Sequence, residues 1–263
     1  MAVITEIGRM DERTVFRKRL LIAAVVPVFI VGLMWSVFAV DNAFHLGLNR
    51  FGLLPRNLVG AFGILSAPLL HSDLDHLFNN SIPMLVLGWC LFFFYPRSAW
   101  WALIGTWLTT GVFVWLSARP DVHIGASGVV YALVAFVFWS GLLRRHRQLI
   151  ALSLFTVFMY GSLVWGVLPI EHRVSFESHL WGGIAGLAFA WVLRKVPSSL
   201  PAPPVYFADE VEDGSADAQV AASTDLGDED DEATYRWRQE LAANANRSTT
   251  ADGVDLRINY PPF

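Results

Sequence analysis

Leu20–Val40 is a run of 21 residues without one charged side chain, and no other feature of the sequence narrows the fold so sharply. At about 1.5 Å per residue, a helix of that length crosses the roughly 30 Å hydrocarbon core of a bilayer. The run is longer than the apolar region of a secretory signal peptide, which predicts an uncleaved first span. Five further apolar runs follow, at His76–Tyr95, Ser98–Ala118, Ile124–Leu143, Leu149–Leu168 and Ser178–Leu193. The last is short, and its start is expected nearer Phe176. With 54% hydrophobic residues the chain exceeds the apolar content of ordinary soluble domains. The prediction is an all-α, polytopic membrane protein with a six-transmembrane-helix bundle over residues 20–196.

Charge divides the chain. Residues 197–263 hold 14 of the 23 acidic side chains and 4 of the 19 basic ones, so the rest is a basic core. The tail opens with Pro197, Pro201, Pro203 and Pro204 and contains the block Asp228–Glu232. Such a segment buries too little apolar surface to offset chain entropy, and residues 197–263 are expected to be a disordered acidic tail. A short helix at Tyr235–Ala243 and docking of an unknown partner are the exceptions it allows. In the core, Arg17-Lys18-Arg19, Arg97, Arg144-Arg145-His146-Arg147 and Arg194-Lys195 fall at alternate span ends. The positive-inside rule puts them all on the cytoplasmic side, with residues 1–19 and the tail. The loops Arg119–His123 and Pro169–Phe176, nearly charge-balanced, then face outward. This is the pattern of a multi-pass cell-membrane protein, and the basic clusters are topology signals, not a nucleic-acid footprint. Asp41–Ala67, broken by Gly47, Gly52, Pro55, Gly60 and Gly63, suits an interfacial or partly re-entrant segment. Cys90, the only cysteine, excludes an intramolecular disulfide and a cysteine metal site, and is expected to fill space.

Under this topology spans two, four and six enter from the outer face, and each carries polar residues at its head. His76 and Asn80 lie on span two, Ser127 on span four and His179 on span six. Polar groups at that depth are costly unless they face the bundle interior or a water-filled cavity, so convergence is expected. His76 and Asn80, four apart, share one helix face. Gly182 and Gly186 follow His179 at one-turn spacing, and Gly125, Ala126 and Gly128 offer a matching thin surface on span four. Small residues at such spacing let helix backbones approach closely in lipid, bringing His179 toward Ser127.

A serine hydroxyl becomes a strong nucleophile when an adjacent imidazole takes its proton. No carboxylate is expected in the outer half of span four or six, so the reading is a Ser127–His179 dyad. Tyr131, one turn below Ser127, supports the histidine by packing and a hydrogen bond. The Ser127 backbone N–H at a helix start favours a developing oxyanion, with His76 and Asn80 as added side-chain donors.

These residues resemble the rhomboid family of intramembrane serine proteases over roughly residues 20–195. His76-Leu77-Phe78-Asn79-Asn80 resembles the family's His-x-x-x-Asn, and Gly125-Ala126-Ser127-Gly128 its Gly-x-Ser-Gly. Tyr131 and His179-x-x-Gly182-x-x-x-Gly186 resemble the supporting tyrosine and the span of the general base. His71 stands where members often have a histidine. The resemblance implies cleavage of single-pass membrane proteins in the lipid bilayer, in or near a span, with no metal or cofactor. It further implies lateral entry between spans two and five, with the loop near Pro169–Phe176 as a cap. The first loop departs from the pattern, having Asn49-Arg50-Phe51 where many members carry a Trp-Arg pair.

Three other functions compete. A catalytically inactive rhomboid-like protein that binds membrane clients would typically lack the serine or histidine. A metal hydrolase built on His71, Asp73, Asp75, His76 and His179 would lack a His-Glu-x-x-His motif, and His71-Ser72-Asp73 reads more readily as a helix start. A transporter would show internal repeats or paired broken helices.

Overall fold

In the computed structural model, residues 12–170 and 175–200 are described. Residues 201–263 of the expected tail, with its Tyr235–Ala243 helix, and residues 171–174 of the Pro169–Phe176 cap lie outside them. The described residues form seven α-helices joined by 3-10 turns: α1 Glu12–Phe44, α2 Gly63–Ser66, α3 Leu74–Phe94, α4 Ala99–Ser117, α5 Ser127–Arg144, α6 Arg147–Tyr160 and α7 Phe176–Val192. No strand occurs among them; the nearest approach is one antiparallel bridge between Leu53 and His123.

Five helical segments are long and apolar enough to cross a membrane, at Thr14–Phe44, Leu74–Phe94, Ala99–Ser117, Ser127–Arg144 and Arg147–Val167. The sixth expected span, α7, has 17 residues and does start at Phe176. At about 1.5 Å per residue it is some 25 Å long, shorter than a full hydrocarbon core. The first span is longer than its uncharged run, because α1 continues without a break from Glu12 through the basic Arg17–Arg19 stretch. The fifth is two structures in one: α6 ends at Tyr160 and passes into a 3-10 turn at Gly161–Val167.

Helix α5 occupies the middle, packed against α3, α4, α6 and most extensively α7. Ala132, Leu133, Phe136 and Val137 on it are wholly buried, whereas Leu21, Ile22 and Phe29 of α1 remain exposed, as befits a helix at the edge of the bundle. Gly88 lets Pro27 of α1 seat on α3, where a Cβ would come within 2.8 Å of the proline Cβ, and Trp35 Nε1 donates to Ser81 Oγ at 3.0 Å. Cys90 is buried in this core.

The α5–α7 contact depends on the absence of side chains. A Cβ on Gly182 would strike the Gly128 carbonyl oxygen, and one on Gly186 the Ala132 carbonyl oxygen. Gly128 would itself meet Ser178 backbone at 3.2 Å. Gly125 is not part of this surface. It precedes α5 at φ +101°, a left-handed backbone that favours glycine, and its missing side chain leaves room for the His76 ring.

Beyond the end of α1, residues 45–67 form short turns and the single-turn α2, docked on α4. Asn57 and Ile64 carbonyls accept from Trp115 Nε1 and Trp107 Nε1, each at 2.9 Å, and Arg56 Nη1 donates to Ala118 O at 2.8 Å. Two tryptophans of α4 and Arg56 thus anchor the first loop.

Candidate active site

Two of the three helices bearing a polar head, α3 and α7, start at a side-chain cap. Asp73 caps α3, accepting the His76 backbone N–H at 2.8 Å, and Ser175 caps α7, accepting the Ser178 N–H at 3.3 Å. The Ser72 hydroxyl, and then the His76 N–H, hold the Asp73 carboxyl below the usual carboxylate range. These caps fix where His76, Asn80 and His179 emerge, and the close glycine contact fixes how near α7 comes to α5.

His179 Nε2 lies 2.9 Å from Ser127 Oγ. On the other side of the ring, Nδ1 lies 2.8 Å from the Gly166 carbonyl oxygen. A carbonyl only accepts, so Nδ1 carries the hydrogen, and in the neutral ring Nε2 offers its lone pair to the serine. The orienting acceptor is therefore a backbone group from the 3-10 turn after α6, which has no sequence signature. The ring of Tyr131 stacks on that of His179, with centroids 4.0 Å apart and planes 6° from parallel. The expected Tyr131–His179 hydrogen bond is replaced by one from Tyr131 Oη to Leu163 O at 2.7 Å, again to the 3-10 turn. A parallel stack turns the hydroxyl away from the imidazole nitrogens, which explains the difference.

The expectation that no carboxylate lies near the outer end of α7 needs correction. Glu177 is in its first turn and buried, but it turns to Arg119, whose Nε lies 3.6 Å away. Helix geometry sends residues two apart to different faces, so Glu177 is not the partner of His179.

His76 and Asn80 line a cavity of about 870 Å³ that also reaches Ser127, Tyr131 and His179. Asn80 Nδ2 donates to His76 O at 2.8 Å, leaving its second hydrogen for the cavity. Ser72 Oγ donates to Asp73 Oδ2 at 2.6 Å, so it accepts from His76 Nδ1 at 3.2 Å. In that neutral form His76 Nε2 is a lone pair, and the ring donates into the cavity once it has taken up a proton. His71 is buried with its ring edge-on to His76, centroids 5.0 Å apart, and burial pushes its imidazole down to about 4. Among the described residues no three His, Cys, Asp or Glu side chains cluster as metal ligands.

The Rhomboid domain model matches residues 59–196, just over half of the chain. The chain belongs to the rhomboid family. An uncharacterized protein of Mycobacterium tuberculosis is 32% identical over 190 residues, covering 69% of this chain and 79% of the relative. A similarly uncharacterized protein of Mycobacterium leprae is 31% identical over 193 residues, covering 70% and 76%. Rhomboid-family proteins act on membrane proteins in the lipid bilayer as intramembrane proteases or are inactive homologues of these, and the present chain is a multi-pass membrane protein of that kind.

Proposed function

We propose that this rhomboid is an active intramembrane serine endopeptidase that hydrolyses peptide bonds in or near the transmembrane segment of single-pass membrane proteins. The observation that carries the reading is the 2.9 Å contact of His179 Nε2 with Ser127 Oγ, with Nδ1 tied to Gly166 O. In the first step Ser127 Oγ attacks the scissile carbonyl carbon while its proton passes to His179 Nε2. The imidazolium so formed keeps its Nδ1–H on the Gly166 carbonyl, and the flat face of Tyr131 lies against it. The carbonyl oxygen, now an anion, is met by the Ser127 N–H and the free Asn80 hydrogen, joined by His76 when its ring is protonated. Collapse expels the amine, which takes the proton from Nε2, and leaves an acyl group on Ser127. Water, deprotonated by the same nitrogen, then releases the acid and restores the serine. No metal or cofactor enters the scheme. The reading includes cytoplasmic N- and C-termini, with the cavity opening toward the outer side.

Labelling with a fluorophosphonate probe in detergent tests it. Wild type is expected to react, and Ser127→Ala and His179→Ala to be silent. A folded wild type inert to this and to a second serine-directed probe would refute activity and leave client binding as the function.

A further inference from the structure

His123 stands four residues before Ser127, yet the reaction above does not use it. It is buried at 5% exposure, and its backbone is fully engaged. Its N–H donates to Leu53 O at 2.8 Å and its carbonyl accepts from Leu53 N–H at 2.9 Å. Two residues on, Gly125 N–H donates to Ala67 O at 2.8 Å. The extended lead-in to Ser127 is thus tied to the first loop.

The side chain reaches the other way, to α7. Nε2 lies 3.1 Å from the Arg119 carbonyl oxygen, so it carries the hydrogen. In the neutral ring Nδ1 is then an acceptor, and Ser175 Oγ, 2.6 Å away, donates to it. With its hydrogen committed, Ser175 Oγ accepts from Ser178 Oγ–H at 2.7 Å and from Ser178 N–H at 3.3 Å. The Ser175 carbonyl accepts the N–H of His179 at 3.3 Å. The chain therefore has one consistent direction, from Ser178 through Ser175 and His123 to Arg119, with no donor facing a donor.

The glycine contacts hold α7 at a set distance from α5, and its first turn, where His179 sits, is held by the Ser175 cap and by Glu177, which accepts from the Arg119 N–H at 3.4 Å. A helix terminus lacks the full set of intrahelical bonds and frays first. We propose that His123 is a positioning residue: through Ser175 it fixes the first turn of α7 to the lead-in of α5, and so sets the line from His179 Nε2 to Ser127 Oγ. This rests on the proposed dyad.

The test is the kinetics of inactivation of the full chain in detergent micelles by a fluorophosphonate, resolved into kinact and KI per folded protein, with thermal unfolding measured alongside. His123→Phe keeps a ring and removes both bonds; Ser175→Ala removes the hydroxyl; His123→Asn places an amide oxygen near the Nδ1 position. Misplacement of reacting groups by a fraction of an ångström predicts a fall in kinact of about tenfold for His123→Phe and for Ser175→Ala, with KI unchanged. The double variant is expected to lose no more than Ser175→Ala alone, which removes the shared His123–Ser175 bond together with the α7 cap, and His123→Asn to recover to within about threefold of wild type. A merely structural role would lower the unfolding temperature and leave kinact of the folded fraction alone. Wild-type kinact in the single variants, multiplied losses in the double, or a loss confined to KI would overturn the proposal. If His123→Phe does not fold, Ser175→Ala and His123→Asn decide the matter. A wild type that fails to label, or His179→Ala labelling at the wild-type rate, would instead overturn the dyad and this proposal with it.

Discussion

Gly182→Ala is the sharpest probe of how the candidate site is assembled, because it adds one methyl group three residues beyond His179. That Cβ would overlap the Gly128 carbonyl oxygen and lie 3.0 Å from the carbonyl carbon. The obstacle is backbone of a central, buried helix, with no rotamer to give way. Relief requires α7 to back off from α5 by about 1 Å, an overpacking that costs on the order of 1–3 kcal/mol. The His179 Nε2 to Ser127 Oγ contact of 2.9 Å would then open beyond hydrogen-bonding range. A displacement of that size lowers the rate by about 100-fold. Gly183→Ala is the matched control, since a Cβ there meets nothing within 4 Å. Fluorophosphonate labelling rates and unfolding temperatures of both variants provide the comparison. Gly182→Ala reacting as fast as Gly183→Ala would show that the backbone contact does not set the distance between Ser127 and His179.

Three other perturbations have defined outcomes. Tyr131→Phe keeps the stack on His179 but strands the Leu163 carbonyl, so a stability loss of about 1 kcal/mol is expected in thermal unfolding, with labelling only a few-fold slower. Asp73 has its carboxyl pKa depressed in the folded state, so its cap stabilises fully above the unfolded value and is lost as pH falls through the folded one. Wild type should accordingly lose more stability than Asp73→Asn as pH falls below the ordinary carboxylate range, a difference readable in pH-dependent unfolding. Arg56→Ala removes the donor on the buried Ala118 carbonyl and should destabilise the first loop by about 1–3 kcal/mol, visible as faster limited proteolysis within residues 46–66.

The membrane class, the limits of most spans and the Ser127, His179, His76 and Asn80 positions were legible in the sequence. Each rests on a local property: an uncharged run, or a polar residue at the head of an apolar helix. Gly182 and Gly186 were legible too, since one-turn spacing of small residues is a surface feature of a single helix. Gly125 was misread as part of that surface because a sequence does not reveal a φ of +101°. Only the tertiary structure supplied the groups that orient the site. Gly166 and Leu163 act through their carbonyls, which every residue possesses, so no residue type marks them. Glu177 was assigned to Arg119 rather than His179 by the facing of a helix turn, and Arg56 was paired with the α4 end by the folding back of a loop. Side-chain chemistry is written along the chain; which backbone atoms a folded chain turns toward it depends on packing between segments far apart in sequence.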